Sequence, residues 1–186
     1  MNIRISRVCP SEIAGILDNS IRRWFQEPQK ILAPYVNEGM TVLDLGCGPG
    51  FLSTTIAQIV GNSGRVIAAD LQEGMLRKLR NKIRNTEFEQ RITLHKCKED
   101  EIGVSEKVDL VIAFYMLHEV PYQEKTLNEI GSILKPKGRL LLAEPYIHVS
   151  KNAFEKTIKK ALNAGFTVVE RPDIPFSRAV VLKKIR

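Results

Sequence analysis

From residue 40 onward, apolar runs alternate with segments of helical spacing. The runs suit buried strands and lie at Thr41–Leu45, Arg65–Ala69, Ile92–His95, Val108–Phe114 and Arg139–Ala143. The helical segments lie between and after them, at Phe51–Val60, Gly74–Arg84, Gln123–Leu134 and Lys151–Ala164. Short buried strands separated by helices predict an α/β fold, with a mostly parallel sheet that helices cover on both faces.

The end of the chain breaks this alternation. Phe166–Glu170 and Ala179–Ile185 are two strand-like runs, and Arg171–Arg178 between them is too short for a crossover helix. Parallel neighbours need such a crossover, so the two runs pair antiparallel or one of them pairs elsewhere in the sheet. We therefore expect seven strands in all, with a C-terminal antiparallel hairpin closing the sheet.

Residues 1–39 precede the alternation and form a separate N-terminal segment. Ile13–Asn19 and Ile21–Phe25 suit amphipathic helices. We expect a helical segment over 1–39 that could serve as a lid, followed by one ligand-binding domain over 40–186. Trp24 and Phe25 belong either to this lid, over the acceptor pocket, or to the core aromatic residues that pack the segment onto the sheet.

The composition fits one well-buried domain and limits the kinds of partner. The chain has 186 residues, of which 44% are hydrophobic, and a formal net charge of +7 that is spread out rather than gathered in one block. Its three cysteines form neither a disulfide framework nor a zinc pattern. No signal peptide or membrane-spanning run is predicted, so we expect a cytoplasmic protein that binds no metal and no membrane.

The segment after the first predicted strand has the strongest chemical signal. Val42–Leu45 contains an acid, Asp44, and the glycines Gly46, Gly48 and Gly50 then follow at strict alternation. Glycine permits a positive φ and lets a ligand approach the backbone closely. A helix that starts after such a loop points unpaired N–H groups at the same space. The pattern predicts a small-molecule cradle at the carboxyl end of a buried strand.

A second acid, Asp70, limits the kinds of ligand that the loop can bind. Asp70 ends the second strand, twenty residues past Gly50, which is the usual offset for a carboxylate that binds ribose hydroxyls. The alternative is that Asp70 caps the helix near Gly74. The loop has G-x-G-x-G rather than the dinucleotide pattern G-x-G-x-x-G, and Asp44 would repel a pyrophosphate. That carboxylate suits a ligand with an ammonium group, such as the methionine end of S-adenosylmethionine.

From about residue 30 to its end, the chain resembles the class I S-adenosylmethionine-dependent methyltransferases of the small, core-fold type. Four motifs carry this resemblance, and they are Asp44–Gly50, Asp70, Val108–Val111 and Leu134–Arg139. The resemblance implies a Rossmann-like, doubly wound, mostly parallel seven-stranded sheet and S-adenosyl-L-methionine as the cofactor. It also implies methyl transfer, while the motifs say almost nothing about the acceptor.

The resemblance implies a set of residues that contact the cofactor. They are Asp44, Gly46, Cys47, Gly48, Gly50, Asp70, Leu71, Glu99 and Phe114. One position departs from the family pattern, because many relatives have an acid followed by Ala after the third strand, where the carboxylate meets the adenine amino group. Alignment by Ile102 puts Lys98 at that position. Either Glu99 or Asp100 makes the adenine contact, or backbone groups do.

The residues after the fourth strand lie next to the methyl group in this fold and are the candidate catalytic residues: Tyr115, His118 and Glu119. Methyl transfer by in-line displacement requires mainly alignment, and a base only where the acceptor must lose a proton. His118 titrates near neutrality and could take that proton. Alternatively, His118 and Glu119 form a structural pair that closes the loop. Glu144, which ends the fifth strand, faces the same crevice.

We therefore expect a methyltransferase that acts on a small-molecule acceptor. The basic charge leaves a second class open, an RNA or protein methyltransferase, and a third is a protein that binds S-adenosylmethionine without catalysis. The Asn/Asp-Pro-Pro-aromatic motif of amino-directed DNA methyltransferases is absent after the fourth strand, where Ala113–Met116 stands. Nothing in the sequence resembles an appended RNA-binding domain, and the oligomeric state stays open.

Overall fold

The computed structural model describes residues 27–185. The predicted helices at Ile13–Asn19 and Ile21–Phe25 therefore lie outside the described residues. The described strands are β1 (Thr41–Leu45), β2 (Arg65–Asp70), β3 (Ile92–Lys96), β4 (Val108–Phe114), β5 (Leu134–Pro145), β6 (Phe166–Glu170) and β7 (Ser177–Lys184). The α-helices are α1 (Pro28–Leu32), α2 (Ser53–Val60), α3 (Glu73–Ile83), α4 (Gln123–Ile133) and α5 (Lys151–Asn163), and a short 3₁₀ helix covers Leu117–Glu119.

All seven strands form one sheet in the order β3-β2-β1-β4-β5-β7-β6. The first five strands are parallel, whereas β7 lies between β5 and β6 and is antiparallel to both. The predicted α/β fold with a C-terminal hairpin is confirmed. Strand order reverses between β1 and β4, so a switch point opens at the carboxyl ends of these two strands.

Helices cover both faces of the sheet, because the strand side chains alternate between two apolar clusters. Val42 belongs to one cluster, together with Ile56 of α2 and Leu79 of α3. Leu43, the next residue of β1, belongs to the other cluster, together with residues of α4 and α5 such as Leu127. Burial on both faces explains why the strands of the sequence are continuous apolar runs.

The fifth strand is longer than predicted. It begins at Leu134 rather than at Arg139, so it includes residues 135–138, in which the proline and the glycine favour a turn. Its pairing with β4 shifts in this stretch: Val108 lies opposite Leu134, and Leu110 lies opposite Arg139. Lys137 adopts a φ of 69° there. Residues 135–138 therefore form an irregular stretch within β5, where its register with β4 shifts, and not a loop that precedes the strand.

Asp109 joins strands at the amino-terminal end of the sheet, which is the end opposite the switch point. Its Oδ2 accepts a hydrogen bond from the backbone N–H of Thr41 at 2.9 Å and another from Lys135 Nζ at 2.7 Å. These contacts join the amino ends of β1, β4 and β5. Asp109 lies in one of the motifs that carry the family resemblance, and its contacts are structural ones.

Candidate active site

The glycine loop is attached to the end of β2. The backbone N–H groups of Gly46 and Cys47 both donate to the carbonyl oxygen of Ala69, at 2.8 and 3.0 Å. Gly46, Gly48 and Gly50 have φ angles of 72°, 54° and 86°, in the left-handed region that favours glycine. The alternation of glycines in the sequence thus follows from three positive φ angles in a five-residue turn.

The three glycines differ in what a side chain would meet. A Cβ at Gly46 would lie 2.6 Å from Met116 Cβ, and one at Gly50 would lie 2.4 Å from Leu79 Cδ1. At Gly48, no described atom outside its own neighbours lies within 4 Å of the added Cβ. Gly46 and Gly50 are therefore needed for packing, and Gly48 is the glycine whose missing side chain leaves open space for a ligand.

Asp70 is a buried carboxylate that holds the loop from the side. Its Oδ2 accepts the backbone N–H of Gly48 at 2.9 Å, and its Oδ1 accepts that of Gln72 at 2.8 Å. Burial raises the pKa of Asp70, and these backbone hydrogen bonds oppose the increase. The N-cap of α3 is Gln72 rather than Asp70, so Asp70 contacts the start of this helix only through the N–H of the N-cap residue. Each carboxylate oxygen can accept a second hydrogen bond, so ribose hydroxyls can still bind.

Asp44 lies beneath the loop and is almost fully buried. Its Oδ2 accepts the Ser53 hydroxyl at 2.6 Å. Burial raises the pKa of Asp44 to about 7, the bond from Ser53 opposes this shift, and the charge of Asp70 adds to it. A cation placed against Asp44 would favour its charged form.

Two of the three residues considered for the adenine contact, Lys98 and Asp100, form ion pairs within the protein. Lys98 pairs with Glu101, and Asp100 pairs with Lys125. Of the predicted acids, this leaves Glu99, which is exposed, as the one with no ion pair among residues 27–185. Leu71, another of the residues expected to contact the cofactor, is 37% exposed. The roles of Glu99 and Leu71 remain predictions.

The segment after β4 lies against the glycine loop. The rings of Phe114 and Tyr115 are stacked with centroids 4.4 Å apart, and Met116 packs over Gly46. Tyr115 has a φ of 63°, and its hydroxyl lies 2.5 Å from Ser177 Oγ. This backbone strain, together with the hydroxyl pair, directs the Tyr115 side chain towards β7.

His118 pairs with Glu144, which the sequence placed in the same crevice without a partner. Nδ1 of His118 lies 2.6 Å from Glu144 Oε2, and the backbone N–H of His118 donates to Oε1 at 2.9 Å. The predicted partner, Glu119, is more distant, with its Oε1 4.0 Å from Nε2. Burial lowers the pKa of His118, but the hydrogen bond and charge of Glu144, aided by Glu119, outweigh it and raise that pKa.

The hydrogen bond to Glu144 also fixes the tautomer of the neutral ring. An ionised carboxylate only accepts, so Nδ1 of His118 is the nitrogen that carries the proton, and Nε2 is then an acceptor. His148 supports the ring from one side, stacked at a centroid distance of 5.9 Å. The arrangement holds a basic nitrogen in a half-buried position beside the loop.

Residues 27–185 also bear on metal binding, membrane crossing and cysteine reactivity. Among residues 27–185, no cluster of His, Cys, Asp and Glu side chains could hold a metal ion, and no helix is long and apolar enough to cross a membrane. Cys47 and Cys97 are buried and free. Burial raises the pKa of Cys97 to about 12, so its thiol is protonated and is a poor nucleophile.

Comparison with known proteins agrees with this geometry. A family model described as a methyltransferase domain matches residues 36–172. The ubiquinone/menaquinone biosynthesis C-methyltransferase UbiE of Cronobacter sakazakii is 33% identical over 138 residues, covering 73% of this chain and 53% of that protein. Its counterpart in Klebsiella pneumoniae is 32% identical over 124 residues, covering 64% of this chain and 49% of that protein. The chain spans about half the length of these curated relatives.

A solved structure resembles nearly the whole chain. The crystal structure of an S-adenosylmethionine-dependent methyltransferase from Aquifex aeolicus superposes with a TM-score of 0.85 at 25% sequence identity, covering 95% of this chain and 99% of that one. Together with the match over residues 36–172, this confirms the resemblance that the sequence motifs indicated. The chain therefore belongs to the class I S-adenosylmethionine-dependent methyltransferase family.

Proposed function

We propose that the protein transfers a methyl group from S-adenosylmethionine to a small-molecule acceptor, with His118 as the general base. The observation that carries this proposal is the contact between His118 Nδ1 and the buried Glu144 carboxylate. It leaves Nε2 as a proton acceptor next to the loop in which family members bind their cofactor. A base is required where the acceptor is a hydroxyl or an acidic carbon.

The glycine loop and its two acids fit the cofactor. The open space at Gly48 admits a nucleoside close to the backbone. Asp70 has acceptor capacity left for both ribose hydroxyls, and Asp44 can face the ammonium group of the methionine moiety. We propose Cys47, Leu71, Phe114 and Glu99 as further contacts. When bound, S-adenosylmethionine supplies an electrophilic methyl group on its sulfonium.

Glu144 supports the base in two ways. Its two hydrogen bonds orient the imidazole of His118, and its charge stabilises the imidazolium that forms when Nε2 takes a proton. Glu119 adds a second negative charge 4.0 Å from that nitrogen. Tyr115, whose hydroxyl contacts Ser177, forms the wall of the same space and positions the acceptor.

The likeness to the UbiE proteins favours a small acceptor methylated on carbon. Those proteins are named as C-methyltransferases of ubiquinone and menaquinone biosynthesis. Addition of a methyl group to a C–H carbon releases a proton, and a hydroxyl on the same molecule can lose one to activate that carbon. Both events require a base such as His118. The proposal for this chain is therefore a small acceptor with an ionisable hydroxyl or carbon.

Labelling tests this proposal. The protein is incubated with methyl-labelled S-adenosylmethionine and, separately, with the small-molecule, RNA and protein fractions of a cell extract. We expect label in a small-molecule product, and we expect His118→Gln to lose it while still binding S-adenosylhomocysteine. Label that appears only in RNA or protein would favour the second class of methyltransferase. Cofactor binding without a labelled product in any fraction would favour a non-catalytic binding protein.

A further inference from the structure

A cavity lies next to the loop that follows β5. Its volume is about 170 Å³, and it is bounded by the ends of β5 and β7 and the first turns of α5. Its lining contains three cationic side chains, those of Lys151, Arg171 and Arg178, against one carboxylate, that of Glu155. The cavity therefore has an excess of positive charge.

Two of the three cations have no carboxylate partner. Arg171 donates two hydrogen bonds to the carboxylate of Glu155, at 2.6 and 3.0 Å, so these two charges compensate each other. Among residues 27–185, neither Lys151 nor Arg178 has a carboxylate oxygen within 4.0 Å. The positive charge that remains in the cavity is therefore that of Lys151 and Arg178.

Arg178 is held in place without using its whole guanidinium group. Its Nε donates to the backbone carbonyl of Val149 at 3.0 Å, and its guanidinium lies 4.8 Å from the centre of the Tyr146 ring. The two terminal nitrogens are the part of the group that presents a fork suited to a carboxylate or phosphate. Tyr146 and the buried Phe154 give the same cavity an aromatic wall.

The cavity is connected to the proposed base by two structural elements. Arg178 lies directly opposite Glu144 in the antiparallel pairing of β5 and β7, and directly opposed side chains share one face of the sheet. The loop after β5 contacts both places, because its Val149 binds Arg178 while its His148 stacks on His118. The same strand pair and the same loop therefore position both His118 and Arg178.

Ser177 provides the second connection. It is a buried residue that lines the cavity, and its Oγ lies 2.5 Å from the hydroxyl of Tyr115 on the side of the methyl-transfer site. A group bound in the cavity is thus separated from Tyr115 by one side chain.

We propose that this cavity binds a carboxylate or phosphate group of the methyl acceptor, through Arg178 and Lys151. The acceptor is then an anion with an apolar or aromatic body, since Tyr146 and Phe154 lie beside the two cations. This inference rests on the proposed function, because it assigns the cavity to the substrate of that reaction.

Binding of simple probes tests the site directly. Benzoate, phenyl phosphate and the neutral benzamide are titrated into the full chain saturated with S-adenosylhomocysteine, and amide NMR shifts near Ser177 and Tyr146 give dissociation constants. We expect benzoate or phenyl phosphate to bind at least about tenfold more tightly than benzamide. The stronger of the two identifies the anionic group. Equal binding of benzamide would overturn the proposal.

Variants then assign the binding to the two cations. Arg178→Gln and Lys151→Gln should each weaken binding of the anionic probe by about tenfold, whereas Lys156→Gln, an exposed change of the same charge on α5, should not. Lys151 is itself exposed, so its variant tests the site even where loss of the Val149 contact perturbs the Arg178 variant. Unchanged binding by the Lys151 and Arg178 variants would overturn the proposal.

The two proposals fail in different ways. A small acceptor that is methylated with the same KM by the wild type and by both cavity variants would overturn the cavity's role and leave the proposed function intact. Probe binding that depends on Arg178, in a protein that methylates no small molecule, would overturn the proposed function and leave an anion site. For an acceptor that uses the cavity, Lys151→Gln should raise KM with little change in kcat.

Discussion

Glu144 holds His118 by two contacts, one from each carboxylate oxygen: Oε2 lies 2.6 Å from the ring nitrogen Nδ1, and Oε1 accepts the backbone N–H at 2.9 Å. Glu144 lies in β5, and His118 lies in the 3₁₀ helix that follows the neighbouring parallel strand β4, whose last residue, Phe114, lies opposite Ala143 of β5. The register of these strands therefore places the carboxylate beneath the imidazole. A buried carboxylate on Nδ1 makes His118 a stronger base.

The first prediction concerns the pH dependence of methyl transfer. Because Glu144 raises the pKa of His118 above the ordinary histidine value of 6.5, the neutral base forms only as the pH rises through that raised value. Activity should rise over the same range. Glu144→Gln removes the charge that raises the pKa, so the ascending limb of the kcat profile should move to lower pH, with kcat reduced about tenfold or more.

A matched control separates this effect from a general loss of charge. Glu124→Gln changes an exposed acid in the first turn of α4 and should leave the profile unchanged. An unshifted profile for Glu144→Gln, with normal cofactor binding, would show that His118 does not titrate in the reaction.

The second prediction concerns stability and follows from Asp44. Burial raises its pKa to about 7 from 3.8, so between these values the folded chain keeps a proton that the unfolded chain has lost. The contribution of Asp44 to the free energy of unfolding is present below the lower value and is lost as the pH rises through the higher one. The loss is at most about 1.4 kcal/mol per pH unit.

Urea denaturation of the cofactor-free protein measures this effect. Asp44→Asn keeps the shape of the side chain and removes its titration. The loss of stability between about pH 5 and about pH 8 should therefore be smaller in the variant than in the wild type. Parallel pH curves for the two proteins would mean that Asp44 stays ionised across the range.

The third prediction separates the roles of two glycines. At Gly48 an added Cβ meets open space, so Gly48→Ala should cost about 1–2 kcal/mol for its positive φ and should also weaken cofactor binding. At Gly50 the Cβ would lie 2.4 Å from Leu79 Cδ1, so Gly50→Ala should mainly lower the melting temperature. Thermal unfolding with and without S-adenosylhomocysteine distinguishes them. The account of the loop is wrong if Gly48→Ala binds the cofactor normally.

Local pattern was enough to predict most of the fold. The bounds of β1, β4 and β6 agree with the sequence prediction to the residue, because each strand is a short run of mostly apolar residues. The start of β5 was missed, since the proline and glycine after Lys135 indicated a turn and the chain instead keeps its pairing with β4 through an irregular register. Tertiary pairing overrode the local preference there.

Site residues that belong to a short sequence motif could be predicted, whereas contacts between residues distant in the sequence could not. Gly48 and Asp70 follow from a loop pattern and a fixed offset, and the structure joins them by a hydrogen bond. The partner of His118 was not predictable, because Glu144 lies 26 residues away and meets it through strand register. The adjacent Glu119 was the apparent partner in sequence. Lys151 of α5 and Arg178 of β7 line one cavity, and this too was not predictable, because the two residues are distant in the sequence.

The fourth prediction tests the central claim, that the glycine loop and Asp70 bind S-adenosylmethionine. S-adenosylhomocysteine and NAD are each titrated by calorimetry into the wild type and into Asp70→Asn. Asp109→Asn is the control, because that acid bonds only Thr41 and Lys135 among the described contacts and its loss should lower stability without changing cofactor affinity.

The wild type should bind S-adenosylhomocysteine, and Asp70→Asn should bind it about 10- to 100-fold more weakly, as expected for hydrogen bonds to a charged group. Binding of NAD with no binding of S-adenosylhomocysteine, or equal affinity in the wild type and Asp70→Asn, would contradict the account.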